Sequence, residues 1–414
     1  MNFLNYKDYR RYLVLNLIHA NGPMSRTKLA DITGYRPVAI GDLINELLAD
    51  HLLVETGSAP QSQGRHRMLL DLHSDYICAI GISISAATIV TDMLTIDGQV
   101  LQSIAHPIQA SGTLDALVQQ MIATIRSMLD AFADRKILGV GICDPGPVPG
   151  RWNEAANLFP TLIDFNDWVN RDLKAILQRS FTLPVEVYAS GILTAVAAER
   201  FGAARGLRDF ICLEFCNGIG MSYYVNGSVA SGANLMAGQL GDTVVHTNDR
   251  ICTCGKAGCV EASAAFPAIR ASILEALDHG SASTLNSFYD RSRELTVADV
   301  RRALDQGDKL CRHYVKEAAC LLGQATANAI NILNPQCVFF HGYMIDLGDY
   351  FIRNLEEATR ENTMAVFGHV EIKVLTSKLE EELPLGAAAM IFDAFLMADY
   401  FRWINRLNVE TPDP

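Results

Sequence analysis

Near residue 75 the hydrophobic period of this chain switches, and the switch leaves few folds open. Before it, apolar side chains recur at helical spacing in three short segments. Residues 6–21 place Leu13, Leu17 and Ala20 on one face and stop at Asn21-Gly22-Pro23. Ser25 is positioned to cap a second helix over residues 26–32, closed by Thr33-Gly34. Pro37 opens a third, a favoured place for a residue without an N–H, and Ile40, Leu43, Ile44, Leu47 and Leu48 form its apolar stripe. Two short strands follow, Leu52-Leu53-Val54-Glu55 and Met68-Leu69-Leu70-Asp71, around a loop rich in Gly, Ser and Gln. Three helices and a two-stranded wing predict a winged helix-turn-helix domain over residues 1–71.

After residue 75, apolar strands alternate with long helical patterns, and the alternation occurs twice. The first round has strands over 76–83, 88–94 and 137–142, with a hairpin signal at Asp97-Gly98 and a helix over 114–132. The second has a strand over 210–215, turn signals at Asn217-Gly218 and Asn226-Gly227, a helix over 311–333 and a strand over 337–340. This grammar predicts an internally duplicated α/β body with a cleft between lobes: one lobe over 75–188 plus 387–414, the other over 189–386.

Charge divides the chain at the same place. Residues 1–70 hold 8 Lys/Arg against 6 Asp/Glu, a balance of +2, so within an overall charge of −12 the body carries −14. Nucleic acid is therefore expected only at the head. Ser25, Arg26, Thr27 and Lys28 open the second helix and are expected to reach phosphates; Arg36, with the Ala39, Gly41 and Asp42 side of the third, is expected in the major groove. Arg65, His66 and Arg67 make the wing cationic and suited to phosphate or minor-groove contact. No stretch reads as a signal peptide or an uncharged apolar span, so a soluble cytoplasmic protein without membrane contact is expected.

Ten cysteines in 414 residues are too few for a disulfide scaffold. Seven are scattered through apolar stretches as buried thiols, but Cys252, Cys254 and Cys259 fall within eight residues, with Gly255 and Gly258 letting the chain curl back. Thiolates plus one further donor predict one tetrahedral, structural Zn²⁺ per chain. Two residues are candidates for the fourth ligand: Asp242, and His246, which shares a strand face with it.

The segment Gly238-Gln239-Leu240-Gly241-Asp242, followed by Cys252-Thr253-Cys254-Gly255-Lys256-Ala257-Gly258-Cys259-Val260-Glu261, resembles the signature of the ROK family, G-E-x-G-H and then C-x-C-G-x-x-G-C-x-E. Gly139-Val140-Gly141, Pro145-Gly146-Pro147-Val148, Ala156-Asn157-Leu158 and Gly218-Ile219-Gly220 support it. The head followed by this body is similar to the NagC/Mlc type of ROK repressor over nearly the whole chain. The resemblance implies a two-lobed, actin-like body. It also implies that the family's zinc histidine is replaced here by Asp242, and that the family's sugar ligands become Asn157, Ser190, Gln239, Asp242 and Glu261.

The same resemblance shows where a kinase pattern is missing. The family's phosphate turn, D-I-G-G-T, reads Gly81-Ile82-Ser83-Ile84-Ser85, and its general base falls on Ser190, whose hydroxyl cannot accept a proton near neutral pH. The expectation is thus a non-enzymatic, DNA-binding repressor of carbohydrate-use genes. It would bind double-stranded operator DNA as a homodimer or homotetramer, with the body sensing a sugar or phosphosugar, or else answering to a protein partner. The competing readings are a ROK sugar kinase with an added head and a metal-stabilised interaction scaffold.

Overall fold

The computed structural model describes residues 6–59, 67–85, 88–108, 113–144, 172–233, 237–245, 250–252, 254–375 and 379–396. Its head consists of α1 (Tyr6–Asn21), β1 (Met24–Ser25), α2 (Arg26–Thr33), α3 (Pro37–Ala49), β2 (Leu53–Ala59) and β3 (Arg67–Leu72). The three strands form one antiparallel sheet in the order β1-β3-β2. Ser25 Oγ accepts the Lys28 N–H at 3.2 Å and starts α2; Gly34, at φ 68°, ends it by donating its N–H to Ala30 O. Pro37 sits at the start of α3, and Ile40, Leu43, Ile44 and Leu47 are buried as its period requires. The two-residue β1 had no sequence signal, because its pairing with Leu69 and Leu70 is made across the domain.

The body holds two five-stranded sheets. The first comprises β4 (Ile77–Ile84), β5 (Thr88–Thr95), β6 (Val100–Pro107), β7 (Lys136–Asp144) and β8 (Val185–Ala189), ordered β6-β5-β4-β7-β8. The second comprises β9 (Phe210–Phe215), β10 (Ile219–Val225), β11 (Ser228–Val229), β12 (Cys337–His341) and β13 (Glu371–Val374), ordered β11-β10-β9-β12-β13. Each is a three-strand antiparallel meander extended by two parallel strands, so the duplication anticipated from the sequence is present as one topology used twice.

Connections carry the helices α4 (Leu114–Ala131), α5 (Leu173–Gln178), α6 (Ser190–Phe201), α7 (Val260–Ala264), α8 (Phe266–Asp278), α9 (Val297–Asp305), α10 (Lys309–Leu333), α11 (Asp349–Asn362) and α12 (Leu379–Leu396). Two helices cross between the sheets: α6 follows β8 but packs on β10, and α12 follows β13 but lies on β4, β7 and α6. The expected lobe boundary at 386/387 therefore falls inside α12. That helix approaches so closely that a Cβ on Gly81 would stand 1.9 Å from Pro384 O, and one on Gly141 2.1 Å from Ala387 O. A buried ion pair, Arg200 with Asp393, ties α6 to α12.

The head is not tethered by a bare linker. Ile18, Leu47 and Leu70 share one continuous core with Ile77, Leu94, Ile391, Phe392 and Leu396 of the first half. Asn16 Nδ2 donates to Leu396 O, and Tyr12 meets Phe395 edge-on at 6.4 Å between centroids.

Candidate functional site

Between β11 and α7 the chain makes few regular hydrogen bonds and is shaped by local ones. A single 3₁₀ turn spans Leu240–Asp242, and isolated antiparallel bridges join Val244 to Cys259 and Ile251 to Ala257. Gly255 and Gly258 take φ values of 84° and 82°, which let the loop reverse twice. Cys252 N–H donates to Lys256 O at 2.7 Å, and Gly255 N–H donates to Cys252 O at 2.9 Å.

These bonds bring the Sγ atoms of Cys252, Cys254 and Cys259 and a carboxylate oxygen of Asp242 within 4.8 Å of one another. Cys254 Sγ and Cys259 Sγ are 3.5 Å apart, and Cys252 Sγ lies 3.7 Å from Asp242 Oδ1. A tetrahedral ion with bonds of about 2.0–2.3 Å spaces its ligand atoms by roughly 3.5–3.8 Å, and these two spacings match that. Cys252 and Cys259 are buried, and burial with the adjoining thiols pushes Cys259 up to about 12. Three thiolates and a carboxylate share such a volume only when a cation compensates them. His246, the other candidate, lies outside the described residues, as does Asn157.

Asp242 thus sits among the thiols. Glu261, in α7, accepts the Ile219 N–H at 2.9 Å through Oε2 and so braces the β9–β10 turn; a Cβ on Gly218 would come within 2.9 Å of that oxygen. Gln239 is half-buried and precedes the 3₁₀ turn; Ser190 is the first residue of α6, directly after β8. The 3₁₀ turn that Gln239 precedes and Asp242 ends packs on α7, which carries Glu261, whereas Ser190 directly follows the last strand of the first sheet.

The first half treats its equivalent turn differently. Ser83 is buried at 4 % exposure, and Ser85 Oγ accepts the Thr88 N–H at 3.0 Å, closing the hairpin on itself. The backbone of α12 occupies the space above Gly81. No glycine-rich cradle with free N–H groups is formed by the described residues of this turn.

Sequence reasoning did not single out one buried titratable pair in the second sheet. Glu214 and His341 are register partners near the carboxyl ends of the parallel strands β9 and β12, where open α/β sheets present ligands. Burial raises the Glu214 carboxyl and drops His341 to about 3, so the imidazole is held neutral, and among the described residues His341 Nδ1 has no hydrogen-bond partner. The available signal was a histidine ending an otherwise apolar strand.

In the head, Ser25 is buried and its hydroxyl is occupied by capping, while Arg26 pairs with Glu55 at 2.9 Å. Thr27, Lys28 and Arg36 are exposed. Arg65 and His66 lie outside the described residues, and Arg67 is the first residue of β3. Among the described residues, no helix is long and apolar enough to cross a membrane.

Known proteins match this arrangement along nearly all of its length. The chain is 27 % identical over 394 residues to the xylose repressor of Caldicellulosiruptor bescii, covering 94 % of this chain and 97 % of that protein. It is 23 % identical over 395 residues to the DNA-binding transcriptional dual regulator NagC of Escherichia coli K12, covering 94 % of both chains. Among solved structures, a ROK family transcriptional regulator described as a homologue of the E. coli MLC protein superposes with a TM-score of 0.78 at 22 % identity, covering 95 % of this chain and 98 % of that one. A ROK family glucokinase from Streptomyces griseus, solved with glucose and AMPPNP, gives 0.61 at 21 % identity, covering 76 % of this chain and 98 % of that one. The family's sequence pattern, described as the ROK family, matches residues 79–394. With about three quarters of its length inside that pattern and the two-lobed fold to go with it, the chain belongs to the ROK family.

Proposed function

We propose that this protein is a DNA-binding transcriptional repressor of carbohydrate-use genes, with a catalytically silent body. The observation that carries the reading is the head: three helices and a small sheet that leave Thr27, Lys28 and Arg36 exposed, built onto the first half through a common core. The repressor names of relatives aligned over 94 % of the chain support it. We divide the chain into the head (1–71), a first lobe (75–188 plus 387–414, joined by the α12 residues before it) and a second lobe (189–386).

Operator contacts come from Lys28, Thr27 and Arg36, with the wing around Arg65, His66 and Arg67. A homodimer, or a dimer of dimers, places two heads on a palindrome in the cytoplasm, because one recognition helix reads few base pairs. Cys252, Cys254, Cys259 and Asp242 hold one structural zinc per chain, with His246 as the alternative fourth ligand. A sugar or phosphosugar binds between the lobes against Asn157, Ser190, Gln239, Asp242 and Glu261, and selects one lobe closure.

Anisotropy titration of the protein's own promoter DNA tests this. Arg36→Ala should weaken operator binding far more than binding to random DNA, and failure of the wild type to bind at low salt counts against the reading. The glucokinase-like fold favours one alternative, a sugar kinase. ATP-dependent phosphorylation of glucose or N-acetylglucosamine by the wild type, lost on substitution of Ser190, would establish that alternative instead.

A further inference from the structure

Helix α3 buries one face and leaves another without a partner. Ile40, Leu43, Ile44 and Leu47 face the core, whereas Val38, Asp42 and Asn45 are exposed and Gly41 lies between them. Two of these residues have no explanation within the protein. Val38 is 76 % exposed in the first turn of the helix. Gly41 has an ordinary helical conformation, and a Cβ there would meet nothing within 4 Å. Glycine is the poorest helix former after proline, so a helix interior keeps one at a cost. Neither a turn nor internal close packing requires it here, which leaves close approach from outside. Arg36 precedes this helix at its N-cap and Lys28 lies on α2, which packs on it; both are exposed cations without an ion-pair partner among the described residues, so an anionic polymer is the complementary occupant.

We infer that Val38, Gly41 and Asn45 choose the operator sequence: the Val38 isopropyl group and the notch over Gly41 receive a thymine methyl, and the Asn45 carboxamide pairs with the N6/N7 edge of an adenine. The inference rests on the DNA-binding reading above and adds its sequence code. Positions 38, 41 and 45 follow the i, i+3, i+7 spacing of one helical stripe, and the first two belong to the N-terminal part of α3 that enters a major groove. Seven residues advance about 10.5 Å along a helix, roughly three base-pair steps of 3.4 Å. The half-site therefore carries its thymine and its adenine about three base pairs apart. Asp42, an acceptor only, sits between them and takes an amino group, from cytosine N4 or adenine N6. The stripe itself holds no cation, so it adds to the discrimination that Arg36 supplies, while Lys28 supplies salt-dependent affinity.

The test uses the full-length chain. Operators are selected from a random duplex pool, then titrated against wild type, Val38→Ala, Gly41→Ala, Gly41→Leu and Asn45→Ala. The selected half-site should show the thymine–adenine pair at that spacing. Replacing that thymine by uracil, which removes only the methyl, should weaken the wild type several-fold and leave Val38→Ala unaffected. Gly41→Leu and Asn45→Ala should each lose about ten- to a hundredfold in operator affinity while binding random duplex at low salt as before. Both Gly41 variants should melt no lower than the wild type, which separates a reading role from a structural one. Undiminished operator binding by Gly41→Leu, or equal response of wild type and Val38→Ala to uracil, overturns the inference. A wild type that binds no duplex at low salt overturns the repressor reading itself.

Discussion

The two halves of the body repeat one strand order but close their first hairpin by different means. In the first, Ser85 bonds back to Thr88 and α12 lies directly on Gly81, while the same sheet shares its core with the head. In the second, the β9–β10 turn is braced by Glu261, which leaves directly from the thiol loop, and no head is attached. A duplicated topology therefore supplies only scaffolding. The hairpins are finished by different side chains, and the halves differ further: one shares its core with the head, while the other carries the cluster of three thiols and Asp242.

The largest effect should come from the thiol loop. Cys259→Ser is expected to abolish zinc in elemental analysis, against one equivalent in the wild type, and to cost the second half on the order of 5 kcal/mol. Hydrogen exchange should rise between residues 214 and 264 and stay unchanged in α1–α3. Exchange spread evenly over both halves would erase the contrast.

Next in size is the ion pair joining α6 to α12. Arg200 and Asp393 expose 5 % and 13 % of their side chains, and Arg200→Met removes the cation from a buried carboxylate at a cost of about 3–5 kcal/mol. Denaturant midpoints should fall accordingly. Because α12 ends against α1, this variant should also lose operator affinity, as the thiol variant should not within the head itself.

A matched pair of glycines gives a smaller and more selective contrast. In the first sheet a Cβ at Gly141 would stand 2.1 Å from Ala387 O; in the second, one at Gly220 meets its nearest atom, Glu214 Cβ, at 3.6 Å. Gly141→Ala should destabilise by about 1–3 kcal/mol, whereas Gly220→Ala stays near neutral, as thermal melts would read.

At neutral pH the smallest change is expected from His341→Gln. His341 is held down to about 3 by burial, so between roughly pH 6.5 and 3 the unfolded chain binds a proton that the native one refuses. Its contribution to stability is therefore lost as pH falls, at about 1.4 kcal/mol per unit. The variant should flatten that acid limb while leaving stability at pH 8 little altered.

Local chemistry made much of this legible in advance. The caps at Ser25 and Gly34, the proline opening α3 and the hairpin at Asn226-Gly227 are decided by residues a few positions apart, and the structure has them where the sequence placed them. The cysteine spacing likewise announced a cluster before any geometry was known. Three features left no such trace. The short strand β1 exists only through β3; the crossover of α6 and α12 depends on contacts nearly two hundred residues apart; and Glu214 meets His341 across two strands separated by a hundred and more residues.

Sequence alone thus placed the helices and caps of the head and singled out the three thiols that cluster, since propensity, capping and cysteine spacing act over a few residues. Packing settled the rest. Asp242 joined the thiols because two bridges fold its loop, Gly81 came to lie under the backbone of a distant helix, and the head was bound to one half because their apolar faces form a single core. Burial and close approach are properties of chain segments brought together from far apart, and no local pattern encodes them.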